Sequence, residues 1–169
     1  MQAQIKTVRD TADLAVIRMI ADQIWPETFQ SILSPEQIVY MMQMMYAPKV
    51  MAAEFAEGRV FEILYLDSEP AGYVSYESYP GAESTVKLHK LYLLKQFHGR
   101  GWGSYLLKHV IDETNKRQCR YLRLNVNKNN HAAIKAYLRN GFVTVESVKI
   151  DIGNGFVMDD FVMQVEVDK

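Results

Sequence analysis

An α+β domain with a mainly antiparallel sheet is the fold that this sequence predicts, and three observations lead to it. Short runs of apolar, β-branched and aromatic residues, which are typical of strands, alternate along the chain with segments of helical period. Two pairs of the predicted strands are joined by turns of hairpin length. One further strand passes into a helix through a turn that holds three alternate glycines, Gly99, Gly101 and Gly103.

Length and composition set the outer bounds of the prediction. With 169 residues, of which 49% are hydrophobic, the chain is expected to form one domain over residues 1–169 with a sizeable core. A single cysteine, Cys119, allows no internal disulfide and favours a reducing compartment. The sequence has no apolar run of about 18 residues, and its first residues lack the core of a signal peptide. We therefore expect a cytoplasmic protein without a membrane partner.

The net charge of -1 hides an uneven distribution along the chain. Residues 1–86 hold 12 Asp and Glu against 5 Lys and Arg, a net charge of -7, and residues 87–169 hold 8 against 14, a net charge of +6. A polyanionic cofactor would favour the second half and a cationic acceptor the first, although chance variation of solvated charges explains the difference equally well. The basic residues are scattered and the pI is 6.4, so we expect no nucleic-acid partner.

The first part of the chain predicts a strand and a helix. Gln4 to Val8 has the pattern of an edge strand, and Asp10 or Thr11 is a suitable N-cap for the helix that follows. We expect this helix to end at Trp25, because the residue before a proline, here Pro26, avoids the helical region of backbone conformation.

The rest of the chain continues the alternation of helices and strands. Ser34 is the expected N-cap of a second helix, with Pro35 at its first position. The glycine turn leads into a helix that is expected to run to about Arg117, and a further helix is predicted from Ala132 to Arg139. The predicted strands are Val60 to Leu66, Ala71 to Tyr79, Lys87 to Leu93, Tyr121 to Val126, Val143 to Ile152 and Phe156 to Val165.

The glycine turn is the first candidate for a binding site. The first N–H groups of a helix have no internal partner and carry the positive end of its dipole, so they suit a phosphate or a pyrophosphate. The spacing of the glycines matches neither the Walker loop nor the Rossmann fingerprint. On the glycines alone, a plain connector is the more common interpretation of such a turn.

Two motifs in the expected order resemble the GNAT superfamily of N-acetyltransferases. The first is the acetyl-CoA motif, Arg/Gln-x-x-Gly-x-Gly/Ala, which fits the chain starting at Gln96 or at His98. We take the register of His98 with Gly101 and Gly103, so that histidine replaces the usual arginine or glutamine. The second is Asn-x-x-Ala-x-x-x-Tyr-x-x-x-Gly-Phe, which residues 130–142 match.

This resemblance implies a fold and a cofactor. The family fold is a mixed sheet of six or seven strands flanked by about four helices, in which two central parallel strands splay apart. Here those strands should be Lys87 to Leu93 and Arg120 to Val126. Residues 87–142 would form the core that binds acetyl-CoA, and residues 1–58 would form helices on the acceptor side. Acetyl-CoA is the expected cosubstrate, and no metal is expected.

The resemblance also implies roles for individual residues. Leu91, Tyr92 and Leu93 should offer backbone groups to the pantetheine arm and the acetyl carbonyl, and Asn130 should hold the pantetheine from the other side. The residues expected at the pyrophosphate are His98, Gly99, Arg100, Gly101, Trp102, Gly103 and Ser104.

Tyr137 takes the position of the family's general acid, which protonates the departing CoA thiolate. A phenol of pKa about 10 is protonated at neutral pH and can donate a hydrogen bond or a proton as charge develops on sulfur. The alternative is that Tyr137 only packs on the sheet.

The acceptor amine needs a base, because a free alkylamine is protonated at neutral pH. Many relatives use a glutamate two residues before the Leu91–Leu93 segment, and this chain has His89 there. Histidine titrates near pH ~6.5 and can accept the proton directly or through water. A histidine with a purely structural role is an equally good interpretation, and Glu77 and Glu27 are further candidates.

Within the family, the chain loosely resembles the PaiA-type polyamine acetyltransferases, through segments that include Glu27–Phe29 and Asp160–Met163. We therefore expect acetyl transfer from acetyl-CoA to a primary amine of a small, cationic acceptor. The alternatives are an acetyltransferase for protein N-termini and a CoA-binding sensor without catalysis. Pairing of an exposed edge, such as the strand after Phe156, would make a homodimer.

Overall fold

The computed structural model describes residues 1–79 and 84–167. In this part of the chain there are seven β-strands, five α-helices and one short 3-10 helix at Lys95–Phe97. The strands are β1 (Ala3–Thr7), β2 (Val60–Leu66), β3 (Glu69–Ser78), β4 (Thr85–Leu93), β5 (Tyr121–Asn127), β6 (Val143–Gly153) and β7 (Phe156–Glu166). The helices are α1 (Thr11–Phe29), α2 (Pro35–Tyr46), α3 (Pro48–Ala56), α4 (Trp102–Lys116) and α5 (His131–Arg139).

The strands form one sheet in the order β1-β2-β3-β4-β5-β7-β6. The pairs β1/β2, β2/β3, β5/β7 and β6/β7 are antiparallel, and β4/β5 is parallel. This topology confirms the predicted mixed, mainly antiparallel sheet and the identity of its parallel pair. The chain falls into two compact units, residues 1–76 with 90–106 and residues 77–89 with 107–169. That one domain spans residues 1–169 stays a prediction.

The first unit contains α1, where one sequence-based prediction was wrong. The helix does not end at Trp25 but continues through Pro26 to Phe29. Trp25 and Phe29 lie four residues apart on one side of the helix, and both are buried with their rings 4.4 Å apart. This buried contact and the bond from the Gln30 N–H to the Pro26 carbonyl at 3.1 Å hold the last turn in spite of the proline. Residues 27–29, which lie beyond the predicted end of the helix, are therefore helical.

Two short helices complete the first unit. The start of α2 is as predicted, since the Ser34 hydroxyl accepts a hydrogen bond from the Gln37 N–H at 3.1 Å. Helix α3 was missed by the sequence analysis, although Pro48 at its first position is a recognised helix start. Its only fully buried residue is Met51, so its apolar periodicity is weak.

The second unit contains the closing hairpin of β6 and β7. Strand β7 pairs with β5 on one side and with β6 on the other. The expectation that the strand after Phe156 forms an exposed edge was therefore wrong, and β6 is the edge strand at this end of the sheet. Strand β7 fits a central position, because the consecutive residues Val162 and Met163, which point to opposite faces of the sheet, are both buried.

Among the described residues, no helix is long and apolar enough to cross a membrane.

Candidate active site

The glycine turn of the first unit leads directly into α4. Gly99 and Gly101 adopt positive φ angles of 74° and 83°, a conformation that glycine adopts without steric cost. The Tyr105 N–H donates to the Gly101 carbonyl at 3.0 Å and so enters the hydrogen-bond ladder of the helix. The N–H groups of Trp102 and Gly103 belong to the first turn, for which the helix itself supplies no partner. The turn thus has the geometry of an anion-binding helix start.

His98 has a definite structural contact at the start of this turn. Its ring Nε2 lies 2.9 Å from the carbonyl oxygen of Leu93, so the ring nitrogen donates this hydrogen bond. The bond connects the glycine turn to the end of β4. The histidine that replaces the usual arginine or glutamine therefore fixes the turn against the strand, a role that the motif did not predict.

Gly72 on β3 lies against Tyr92 and Leu93, in the segment that was predicted to bind the acetyl carbonyl. A Cβ atom at this position would lie 2.5 Å from the Tyr92 carbonyl oxygen and 2.6 Å from Leu93 Cδ2. Only a residue without a side chain fits at such a distance, so Gly72 sets the approach of β3 to β4. Sequence reasoning missed this residue, although a glycine inside a predicted strand is a known signal of close backbone approach.

An aromatic cluster surrounds the Tyr92 ring in the first unit. The centroid of the Tyr92 ring lies 5.8 Å from the ring centroid of Trp25, 6.4 Å from that of Phe29 and 5.7 Å from that of Tyr73. Trp25 Nε1 donates to the hydroxyl of Tyr46 at 3.0 Å, and the hydroxyls of Tyr46 and Tyr73 lie 2.7 Å apart. Burial raises the pKa of both tyrosines well above the usual 10.0, so they stay neutral.

Lys90 is a buried cation beside this aromatic cluster. It is 5% exposed, and its Nζ lies 5.1 Å from the ring centroid of Tyr46 and 5.7 Å from that of Phe61. Burial, with a smaller effect of the charge of Arg59, lowers its pKa to about 7. The sequence analysis did not single out this residue.

In the second unit, His89 and Glu77 form a pair. His89 Nε2 lies 2.9 Å from Glu77 Oε1, and the two side chains are 23% and 25% exposed. A carboxylate in this position orients the imidazole and stabilises its protonated form. The structure thus joins two of the three candidates for the general base. The third, Glu27, lies exposed on α1 in the other unit.

Asn130 and Tyr137 lie at the two ends of α5, also in the second unit. Asn130 is the N-cap, and its Oδ1 accepts a hydrogen bond from the Ala133 N–H at 3.3 Å. Tyr137 is half-buried, with its ring centroid 5.6 Å from that of Phe142. Burial raises the pKa of Tyr137 to about 12, so that its phenol carries a proton at any physiological pH.

The parallel strands pair over only part of their length. The register joins Thr85–Leu88 of β4 to Tyr121–Leu124 of β5. Beyond this register β4 runs on to Leu93 and β5 to Asn127.

Comparison with protein families identifies the type of protein. The model of the acetyltransferase (GNAT) family matches residues 19–142, more than half of the chain. A protein named as an uncharacterised N-acetyltransferase of Methanocaldococcus jannaschii is 30% identical over 93 residues, which are 53% of this chain and 41% of the relative. That match therefore spans less than half of the relative's length.

Solved structures resemble the chain over almost its whole length. One is the PaiA N-acetyltransferase of Thermoplasma acidophilum in complex with coenzyme A, with a TM-score of 0.81, 22% identity, and coverage of 98% of this chain and 99% of that chain. Another is the ribosomal-protein-S18-alanine N-acetyltransferase of Escherichia coli, with a TM-score of 0.74, 20% identity, and coverage of 99% and 96%. At these identities the likeness shows a common fold.

Proposed function

Because this chain belongs to the acetyltransferase (GNAT) family, we propose that it transfers the acetyl group of acetyl-CoA to a primary amine of a small acceptor. The observation that carries the chemistry is the pair of His89 and Glu77 at 2.9 Å. This pair supplies a base whose histidine comes two residues before the segment Leu91 to Leu93 in the sequence, and we assign the thioester to that segment. The ammonium form of the acceptor is cationic, and the Glu77 carboxylate favours its approach.

We assign the binding of acetyl-CoA to three parts of the chain. The N–H groups of residues 99–104 bind the pyrophosphate, supported by the helix start and by the His98 contact with the Leu93 carbonyl. Backbone groups of Leu91 to Leu93 bind the pantetheine arm and the acetyl carbonyl. Asn130 contributes from α5, where its cap bond uses only the carboxamide oxygen and leaves the NH₂ group as a donor.

The reaction begins with loss of a proton from the ammonium group of the acceptor. In the tautomer whose Nε2–H donates a hydrogen bond to Glu77, Nδ1 of His89 carries the lone pair. Nδ1 then accepts the proton of the acceptor's ammonium group. The neutral amine then attacks the carbonyl carbon of the thioester, and a C–N bond forms. Glu77 stabilises the imidazolium, as a carboxylate beside a catalytic histidine does.

Collapse of the tetrahedral intermediate breaks the C–S bond and releases the CoA thiolate. We assign Tyr137 to this step as the hydrogen-bond donor to sulfur. Its pKa of about 12 makes full proton transfer to a thiolate of pKa about 8.5 unfavourable by about 5 kcal/mol. The phenol therefore acts mainly by donating a strong hydrogen bond to the developing negative charge. The nitrogen also gives up a second proton, which converts the CoA thiolate into the thiol, and His89 releases the first proton to solvent. Acetyl-CoA and the ammonium ion thus give amide, CoA thiol and one proton.

Release of CoA tests the proposal directly. A thiol reagent follows turnover with acetyl-CoA and a panel of polyamines, amino acids, aminoglycosides and peptides with free N-termini. Turnover with a small amine supports the proposal. Transfer only to peptide N-termini would support the protein acetyltransferase instead, and tight acetyl-CoA binding without any turnover would support a sensor.

Two variants test whether His89 acts as the general base. His89→Gln should lower kcat by about 10²- to 10⁴-fold, the usual contribution of a general base, with unchanged affinity for acetyl-CoA. Glu77→Gln keeps the shape of the hydrogen-bond partner of His89 and should cause a smaller loss of kcat. Wild-type kcat in His89→Gln would remove the histidine from the mechanism.

The cytoplasmic location and the homodimer stay predictions that rest on the sequence.

A further inference from the structure

A row of half-buried polar residues lies on β4, β5 and β7 in the second unit. Lys87 on β4 is the register partner of Arg123 on β5, and Arg123 is in turn the partner of Gln164 on β7. Neighbouring strands lie about 4.8 Å apart, so the two cations stand side by side. Like charges directly opposite each other destabilise a sheet. This arrangement needs an explanation beyond folding.

The hydrogen-bond partners of the two cations are neutral amides, and Lys87 Nζ also lies 5.8 Å from the ring centroid of Tyr79. Lys87 Nζ donates to Asn125 Oδ1. Arg123 donates from Nε and Nη2 to one oxygen of Gln164, at 3.0 and 2.6 Å. In residues 1–79 and 84–167, no carboxylate forms an ion pair with either cation. An ammonium has three N–H donors and a guanidinium five, so most of these donors remain for a ligand.

The neighbouring acidic groups do not neutralise the pair. Asp160 is 3% exposed and accepts a hydrogen bond from Asn125, and Glu146 lies on β6. Both carboxylates raise the pKa of Lys87, but burial and the charge of Arg123 outweigh them and lower it to about 8. An anion bound between the two cations would remove their repulsion and restore the pKa of the lysine.

The cation pair of Lys87 and Arg123 lies on the same face of the sheet as the proposed base, His89. Lys87 and His89 are two residues apart on β4 and so point to the same face of the sheet, with Cα atoms about 6.6 Å apart. An acceptor whose amine meets the pair of His89 and Glu77 would place a group a few bonds away against Lys87 and Arg123. Arginine suits a carboxylate in particular, because its planar fork matches the two oxygens.

We propose that Lys87 and Arg123 bind a carboxylate of the acceptor, so that the acceptor is a compact amine that also carries an acidic group. This inference rests on the proposed function and deepens it. It narrows the acceptor from amines in general to zwitterions and makes polyamines without an acidic group poor acceptors. Asn125 and Gln164 act as positioning residues that orient the two cations.

Matched acceptors test the inference. The acetylation of 4-aminobutyrate is compared with that of 4-aminobutyramide, which has the same length and no negative charge. The wild type should prefer the carboxylate by about 10- to 100-fold in kcat/KM, as expected for charge-assisted hydrogen bonds. In Arg123→Met and Lys87→Met, this ratio should fall towards one. Lys149→Met, which removes an exposed cation from β6, should keep the wild-type ratio.

A binding measurement makes the result independent of turnover. Calorimetry with 4-acetamidobutyrate and its amide should show the same preference in the wild type and its loss in both variants, while thermal unfolding confirms that the variants are folded. If the enzyme acetylates amines but prefers the carboxylate over the matching amide neither in kcat/KM nor in binding, this inference is overturned. The proposed function stays intact in that case. Selective carboxylate binding that depends on Arg123, without turnover of any amine, overturns the proposed function and supports the cation pair.

Discussion

The close approach of β3 to β4 gives a prediction that can be worked out from distances. In Gly72→Ala, the new Cβ would lie 2.5 Å from the Tyr92 carbonyl oxygen, so the strands must separate by about 0.5 Å to reach the shortest contact that real structures show. The adjacent bond from the Leu94 N–H to the Ala71 carbonyl is 2.8 Å long and would lengthen to about 3.3 Å, beyond the usual range. Both effects destabilise the same stretch of sheet.

The expected loss of stability in Gly72→Ala is about 2–4 kcal/mol, from overpacking and a weakened hydrogen bond. The entropic gain of replacing glycine by alanine, about 0.4–1 kcal/mol, does not change the sign. For a chain of this size the melting temperature should fall by about 4–16 °C.

Thermal unfolding without cofactor measures the effect. Gly103→Ala is the matched control, because its Cβ would lie at an ordinary 3.8 Å from Leu93 Cδ1 and alanine is the better helix former. A Gly72→Ala protein that melts within about 1 °C of the wild type, or an equal loss in both variants, would refute the steric argument.

Three further predictions concern the site and the buried lysine. Tyr137→Phe should lower kcat by about 10- to 100-fold through the lost hydrogen bond to sulfur, and a change in acetyl-CoA affinity of the same size would instead indicate a binding role. Gly101→Val should weaken acetyl-CoA binding by about 5- to 150-fold through backbone strain at its positive φ. The control Gly58→Val, at a φ of 99°, should strain the fold and leave the affinity for acetyl-CoA unchanged. Because Lys90 has a pKa of about 7 when folded and about 10.4 when unfolded, the unfolded chain binds more protons between these values. Denaturant unfolding should therefore show stability rising from pH 7 to 9 by up to about 1 kcal/mol per pH unit, a slope that Lys90→Met should lack.

Local chemistry explains why so much of the fold was predictable. The hairpin of β2 and β3 turns at Asp67 and Ser68, both with positive φ, between two apolar runs. The start of α2 at Ser34 and the glycine turn before α4 likewise depend on neighbouring residues only. The end of α1 was misplaced because the burial of Trp25 and Phe29 outweighs the local effect of Pro26, and a tertiary contact of this kind leaves no local signal.

The candidate site divides in the same way between sequence and structure. The glycine turn was recognised from local sequence, and the roles of Gly99, Gly101 and Tyr137 were predicted from the resemblance to two family motifs. The sequence by itself thus determined the family and the order of the elements other than α3. It also predicts the segment that binds the cofactor.

The tertiary structure alone decided which distant residues meet. Glu77 and His89 are twelve residues apart in the chain and 2.9 Å apart in space. The pairing of Lys87 with Arg123 depends on the register of two strands that a whole helix separates. Register is set by the burial of one strand face against the rest of the protein, and a single sequence does not fix the distance between side chains that such burial brings together.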